Sequence, residues 1–165
     1  MNKTLRLFLG AAVIALGVWA WTMVFPNPKQ VIRNRINRVA QLASFSPNEG
    51  AMSRGFNIQK LGALFSDDAQ ILVDVPDLDA HVFTREEMMQ ILMAAKRLGN
   101  GLKAEFVGMN IELGAGAESA LVDLTLKAKI GGQSELIVQE FKFTMKKIKG
   151  DWLITRVESV NTLKP

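Results

Sequence analysis

Four polar residues, Asp74, His81, Gln139 and Arg156, sit where a side chain could face a pocket, and they set the chemistry open to this chain. Asp74 and His81 flank the Asp77-Leu78-Asp79 loop ahead of a helix. A carboxylate beside an imidazole is an acid/base pair suited to moving a proton on a small molecule. The plainer alternative for His81 is an exposed loop histidine. Gln139 interrupts the apolar side of a strand formed by Ile137, Phe141, Phe143 and Met145, so its amide must meet either an internal hydrogen-bond partner or a ligand. Arg156 lies in the last strand beside Trp152 and Ile154. It either lines a pocket or, with Glu158, joins a solvated cross-strand ion pair with Glu140 or Lys142.

Other chemistries are poorly served. The chain has no cysteine, no tyrosine and one histidine, so it lacks a thiol nucleophile and a phenolic donor. A Ser-His-Asp arrangement would have to use His81, and no nucleophile-elbow motif accompanies it. Histidine- or cysteine-based zinc sites need several N or S ligands, so no metal and no other cofactor is expected. Gly114-Ala115-Gly116-Ala117 has no helix after it and reads as a hairpin loop, not a phosphate cradle. Asp67 and Asp68 suit turn chemistry between a helix and a strand. Met88, Met89, Met93, Met109 and Met145 either fill a core or line an adaptable apolar cavity.

The elements that must position these residues follow from periodicity. From Lys29 to Phe45, Ile32, Ile36, Val39 and Ala43 form one helical stripe opposite Asn34, Asn37, Arg38 and Gln41. Ser46 to Phe56, with Pro47, Asn48, Gly50 and Gly55, reads as a loop. A short helix then carries Ile58, Leu61, Leu64 and Phe65 on one side, and Ser66-Asp67-Asp68 breaks into a strand from Ala69 to Val75. Thr84 and Glu87 have capping-box spacing ahead of a helix whose apolar stripe is Met88, Ile91, Leu92, Ala95 and Leu98, with Gly99 placed for a left-handed cap. From Leu102 the period becomes two. Val107, Met109, Ile111 and Leu113 form one face, and in the next strand Ala120, Val122, Leu124, Leu126, Ala128 and Ile130 form another. Gly131-Gly132 and Gly150-Asp151 turn the chain into two further strands, Leu136 to Ile148 and Trp152 to Val160. Such strands are antiparallel with one wet face.

Ahead of this domain lies Leu7 to Phe25, LFLGAAVIALGVWAWTMVF, a charge-free apolar run following a short basic tail, residues 1–6. At about 1.5 Å per residue it can cross a bilayer core of about 30 Å. Trp19 and Trp21 suit the interfacial zone. A cleaved signal, cut after Val18-Trp19-Ala20, competes with an uncleaved anchor; the continuation through Trp21 to Phe25 favours the anchor. A plain count of basic residues would keep the domain side in the cytoplasm, whereas a very short basic tail before an apolar run is how an exported domain starts; the reading adopted is a single-pass protein with an extracytoplasmic domain. Residues 26–28 are a stiff linker and residues 29–165 one domain. The net charge is +4, from 20 Lys and Arg against 16 Asp and Glu. Lys3, Arg6, Lys29, Arg33, Arg35 and Arg38 precede every acid, so the rest of the chain carries a net charge of −2. The basic surplus sits where anionic headgroups would be. No basic stripe interleaved with aromatics appears in the body, and nucleic acid is not an expected partner.

The Ile58-to-Val75 block (IQKLGALFSDDAQILVDV), the Phe83-Thr84-Arg85-Glu86-Glu87 helix start and the closing Lys149-Gly150-Asp151-Trp152-Leu153-Ile154 resemble the nuclear transport factor 2-like superfamily. The resemblance covers nearly all of Lys29 to Leu163. It implies an α+β cone of about three helices on a curved, mainly antiparallel sheet, with a pocket at the open end and pairing through the sheet into a homodimer. Enzymes of this superfamily use an inward carboxylate as base, often with tyrosine or acid donors, and the tyrosine is missing here. The expectation is a membrane-tethered, non-catalytic module for a small apolar ligand or an envelope protein. The alternatives are an isomerase, dehydratase or cyclase using Asp74 or His81 as base, and a structural subunit of an envelope complex.

Overall fold

The computed structural model describes residues 10–17, 19, 27–73 and 81–160. The domain runs α1 (Pro28–Ala43), α2 (Ala51–Gly62), β1 (Phe65–Val73), β2 (His81–Thr84), α3 (Arg85–Leu98), β3 (Leu102–Leu113), β4 (Ser119–Ile130), β5 (Leu136–Ile148) and β6 (Asp151–Val160). The six strands form one sheet in the order β2-β1-β6-β5-β4-β3. β1 and β6 run parallel, and every other neighbouring pair is antiparallel. The α+β cone with a mainly antiparallel sheet is therefore the architecture found.

Alternation sends one face of every strand to the core. Register places Val122 of β4 between Ile111 of β3 and Phe143 of β5, and Phe143 in turn faces Val157 of β6. Ile32 and Ile36 of α1, Leu61 of α2, Phe65 and Ile71 of β1, and Met145, Trp152 and Ile154 complete this core. α1 packs along β3, and α2 lies between α1 and α3. Asn27 caps α1 by accepting from the Lys29 amide at 3.0 Å, and Pro28 opens the helix where its missing N–H costs nothing.

Several local expectations change. The loop after α1 ends at Gly50, because α2 begins at Ala51 and carries Gly55 in its interior. β1 starts at Phe65 rather than Ala69: Ser66-Asp67-Asp68 does not break the chain but lies in the strand, where the pairing with β6 shifts register before Gln70. The buried side of α3 is rotated from the stripe read in the sequence. Met88 and Leu92 pack on the core and Lys96 is buried, whereas Ile91 is 52% and Leu98 87% exposed. Gly99 is extended, with φ −83°, so it provides no left-handed cap. Its glycine is required by space, since a Cβ would stand 2.6 Å from the Ala95 carbonyl oxygen and 3.0 Å from the Phe45 ring.

The capping box at α3 is present in full: the Glu87 amide donates to the Thr84 hydroxyl, and the Thr84 amide donates to the Glu87 carboxylate at 2.8 Å. These bonds from the Thr84 amide, and then from its hydroxyl, hold the Glu87 carboxyl below its ordinary range. Arg85 does the same to Glu86. A carboxyl lowered by folding contributes stability that is complete above its unfolded value near pH 4.3 and is lost as pH falls through the folded value. Thr84→Ala is expected to cost about 1 kcal/mol at neutral pH. Glu87→Gln is expected to flatten the acid limb of a stability-against-pH curve from urea unfolding.

Of the Leu7–Phe25 run, residues 10–17 and Trp19 are described and are helical. Val13, Ile14 and Leu16 are each more than 60% exposed, so this part of the run is not buried in the core. No helix among the described residues is long and apolar enough to cross a membrane; the remainder of the run lies outside them.

Candidate functional site

The sheet's concave face and two helices enclose a cavity of about 410 Å³. Its walls are Ile71 and Val73 of β1, Phe83 of β2, Val157 of β6, Phe141 and Phe143 of β5, Leu126 of β4 and Phe106 of β3. Val39 of α1, Phe65, and Met88, Ile91 and Leu92 of α3 close it. Every one of these side chains is apolar. The aromatic wall is built edge to face: Phe143 meets Phe106 at 5.6 Å and Phe141 at 6.3 Å between ring centroids, the arrangement favoured by the ring quadrupole.

Phe106 reaches this wall through a bulge. Strict alternation along β3 would put it on the wet face opposite Met109 and Ile111. Between Val107 and Asn110 the register with β4 shifts, with Gly108 at φ +64°, and Phe106 lies opposite Leu126 on the concave side. The exposed, half-turned Ile91 of α3, Val73 and Phe83 mark the open side of the cavity, at the end of the sheet where β1 finishes and β5 begins.

Of the residues singled out from the sequence, the three that are described, His81, Gln139 and Arg156, do not converge. His81 pairs with Val73 at the start of β2 and is exposed, with its ring edge-on to Phe83 at 4.6 Å; it stands at the rim rather than within the cavity. Asp74, its expected partner, lies outside the described residues. Gln139 shares the concave face of β5, but its amide donates to the carbonyl oxygens of Val160 at 2.9 Å and Glu140 at 3.2 Å. It ties β5 to the end of β6, so the internal hydrogen bond is the reading realised.

Arg156 is on the convex face. It donates to Gln70 of β1 at 3.0 Å and to Glu158 at 2.9 Å, and the Glu158 carboxylate raises its guanidinium above the ordinary range. Arg156 is therefore not among the residues that line the cavity; its ion pair with Glu158 runs along β6, and Lys142, opposite Glu158 on β5, adds a cross-strand attraction that also lowers the Glu158 carboxyl. Asp67 is taken by Arg85, which also holds Glu86. A second, wider groove of about 580 Å³ runs between α2 and α3 beside these charges. There Gly62 lets α3 approach, since a Cβ would meet the Met89 sulfur at 2.5 Å.

One polar centre was not visible in the sequence. The side chain of Lys96 is completely buried, and its ammonium donates to the Ser44 carbonyl at 3.1 Å and to Glu49 at 3.3 Å. The second Glu49 oxygen accepts from Asn57 at 2.6 Å, and the Phe45 ring lies 5.3 Å from the ammonium. The cluster locks the α1–α2 loop onto α3 behind the cavity. The available signal was Lys96 itself, one turn beyond Leu92 on the helix side that packs inward.

No protein-family model and no curated protein matches this chain. Solved structures do. A protein of Novosphingobium aromaticivorans provisionally named a scytalone dehydratase is 16% identical, with TM-score 0.62 over 82% of this chain and 84% of that one. A Kribbella flavida protein gives TM-score 0.64 at 12% identity, covering 82% of this chain and 90% of its own. An NTF2-like protein with a cystatin-like fold from N. aromaticivorans gives 0.61 at 13% identity over 94% and 90%. Identities this low establish shape and leave chemistry open. The domain of this chain has the NTF2-like, cystatin-like α+β fold.

Proposed function

We propose that this chain is a membrane-tethered NTF2-like module that binds a small apolar ligand in its cone without catalysing a reaction on it. The observation that carries the reading is the cavity lining. All the side chains around the 410 Å³ space are apolar, and no acid, base or nucleophile projects from the described residues that form it. Such a cavity rewards apolar surface and offers no group to move a proton. The tether rests on the uninterrupted apolar run from Leu7 to Phe25 and on the exposure of Val13, Ile14 and Leu16 within it.

The test is binding of the apolar fluorophore N-phenyl-1-naphthylamine to the full chain in nanodiscs, corrected against empty discs. Saturable binding is expected, weakened about tenfold or more by Leu126→Trp, which fills the cavity, and unchanged by Arg156→Ala on the convex face. Equal binding by Leu126→Trp and the parent would overturn the site. A dehydratase or isomerase reading has one supporting observation, the position of His81 at the rim beside Phe83. A measured turnover abolished by His81→Ala would establish it in place of the non-catalytic reading.

A further inference from the structure

We propose that the closed end of the cone seats on an anionic bilayer surface and holds the cavity mouth away from lipid. This rests on the tether reading above. Only Pro26 and Asn27 separate Phe25 from α1, and two extended residues reach about 7 Å. The start of α1 is therefore held within about one Debye length of the headgroups at physiological salt.

The fold decides which end of the domain that is. Arg35, in the second turn of α1, donates to the Trp152 carbonyl and to Asp151, fixing this part of the helix against the β5–β6 turn. Past the other end of α1, Phe45 pairs with Leu102, where β3 begins. The first turns of α1 and the β5–β6 turn thus share the closed end. Val73 and Phe83, which line the cavity, and His81 lie at the opposite end of the sheet, where β1 finishes.

The closed end is basic for a reason the linear sequence conceals. Lys29 and Arg33 are exposed on the first turns of α1, and Lys146, Lys147 and Lys149 are exposed around the β5–β6 turn, far along the chain but at the end of the sheet to which Arg35 ties α1. The opposing acids are Asp151, paired with Arg35; Asp68, near Lys146; Glu112 near the end of β3; Glu118 in the β3–β4 turn, whose carbonyl accepts from the Lys147 amide; and Asp67 and Glu86, both held by Arg85. Each basic residue near an anionic leaflet adds attraction, and the tether removes most of the entropic cost of bringing the surface there. A ligand must then enter from the aqueous side.

The absence of cysteine in the chain allows single spin labels. Ala115→Cys in the exposed β3–β4 turn reports the closed end, and Gln133→Cys between β4 and β5 reports the open end. The full chain is reconstituted in nanodiscs of phosphatidylcholine alone or with about a third phosphatidylglycerol, each containing a nickel-chelating lipid. Broadening is expected at Ala115→Cys and not at Gln133→Cys, with the docked-to-undocked ratio rising about tenfold or more with the anionic lipid. It should fall again in high salt and in Lys146→Glu/Lys147→Glu/Lys149→Glu. Equal broadening at both sites, or broadening at Ala115→Cys indifferent to lipid charge and salt, would overturn the docking. Loss of the chain from the discs in alkaline carbonate would instead overturn the tether, and the docking with it.

Discussion

Lys96→Met is expected to lower the stability of the domain by about 3–5 kcal/mol, a fall in Tm of roughly 10–20 °C. The methionine keeps most of the apolar stem, so the loss isolates the charge. In the parent, the ammonium has no exposed surface and divides its donors between the Ser44 carbonyl and Glu49. Without it, Glu49, whose side chain is only 12% exposed, keeps the Asn57 amide but loses its counter-charge. A buried carboxylate left in that state is far costlier than the pair was beneficial, because the attraction of a buried pair is largely offset by desolvation. The double variant Lys96→Met/Glu49→Gln is therefore expected to recover much of the loss, since a neutral amide can still meet Asn57. Urea unfolding of the four corners of this cycle measures the coupling directly. A double variant no more stable than Lys96→Met would show that the loss comes from the bond the ammonium gives to the Ser44 carbonyl, and not from an uncompensated Glu49 charge.

The same cluster explains where sequence reading stopped. Periodicity found the long strands, because period-two alternation and the Gly131-Gly132 turn are local signals. Gly131 could not be otherwise: a Cβ there would lie 2.0 Å from the Asn100 carbonyl oxygen. The capping box at Thr84 was legible for the same reason, since its partners are three residues apart. The misses share a different origin. The rotation of α3 is set by Gly62 admitting Met89 and by Glu49 drawing Lys96 inward, both contacts between distant segments. The bulge at Gly108 reverses the faces of β3 halfway along, so Phe106 is read onto the wrong side by any strict alternation. Gln139 was conspicuous in sequence, but its partner, the Val160 carbonyl, is a backbone atom that no residue pattern announces.

Phe143→Ala is the variant that joins stability to function. Its ring is 3% exposed, lies at the centre of the sheet and forms part of the cavity wall between Phe106 and Phe141. Truncation is expected to cost about 3–5 kcal/mol, because the void opened there adjoins an existing cavity and neighbouring strands cannot collapse to fill it. Met145→Ala, one inward position further along β5 and fully buried, is expected to cost about 2–5 kcal/mol. Met145 is outside the cavity lining, so the two losses differ in what a ligand can restore. An apolar probe present at about a hundred times its Kd adds about 2.7 kcal/mol to any form that binds it. With a bulkier naphthyl probe, the enlarged cavity of Phe143→Ala should bind more tightly than the parent, and its Tm should rise further than that of Met145→Ala at the same probe concentration. Equal increments in the two variants would mean that the probe does not occupy the space beside Phe143, and the cone would then be a core with a packing gap rather than a binding site.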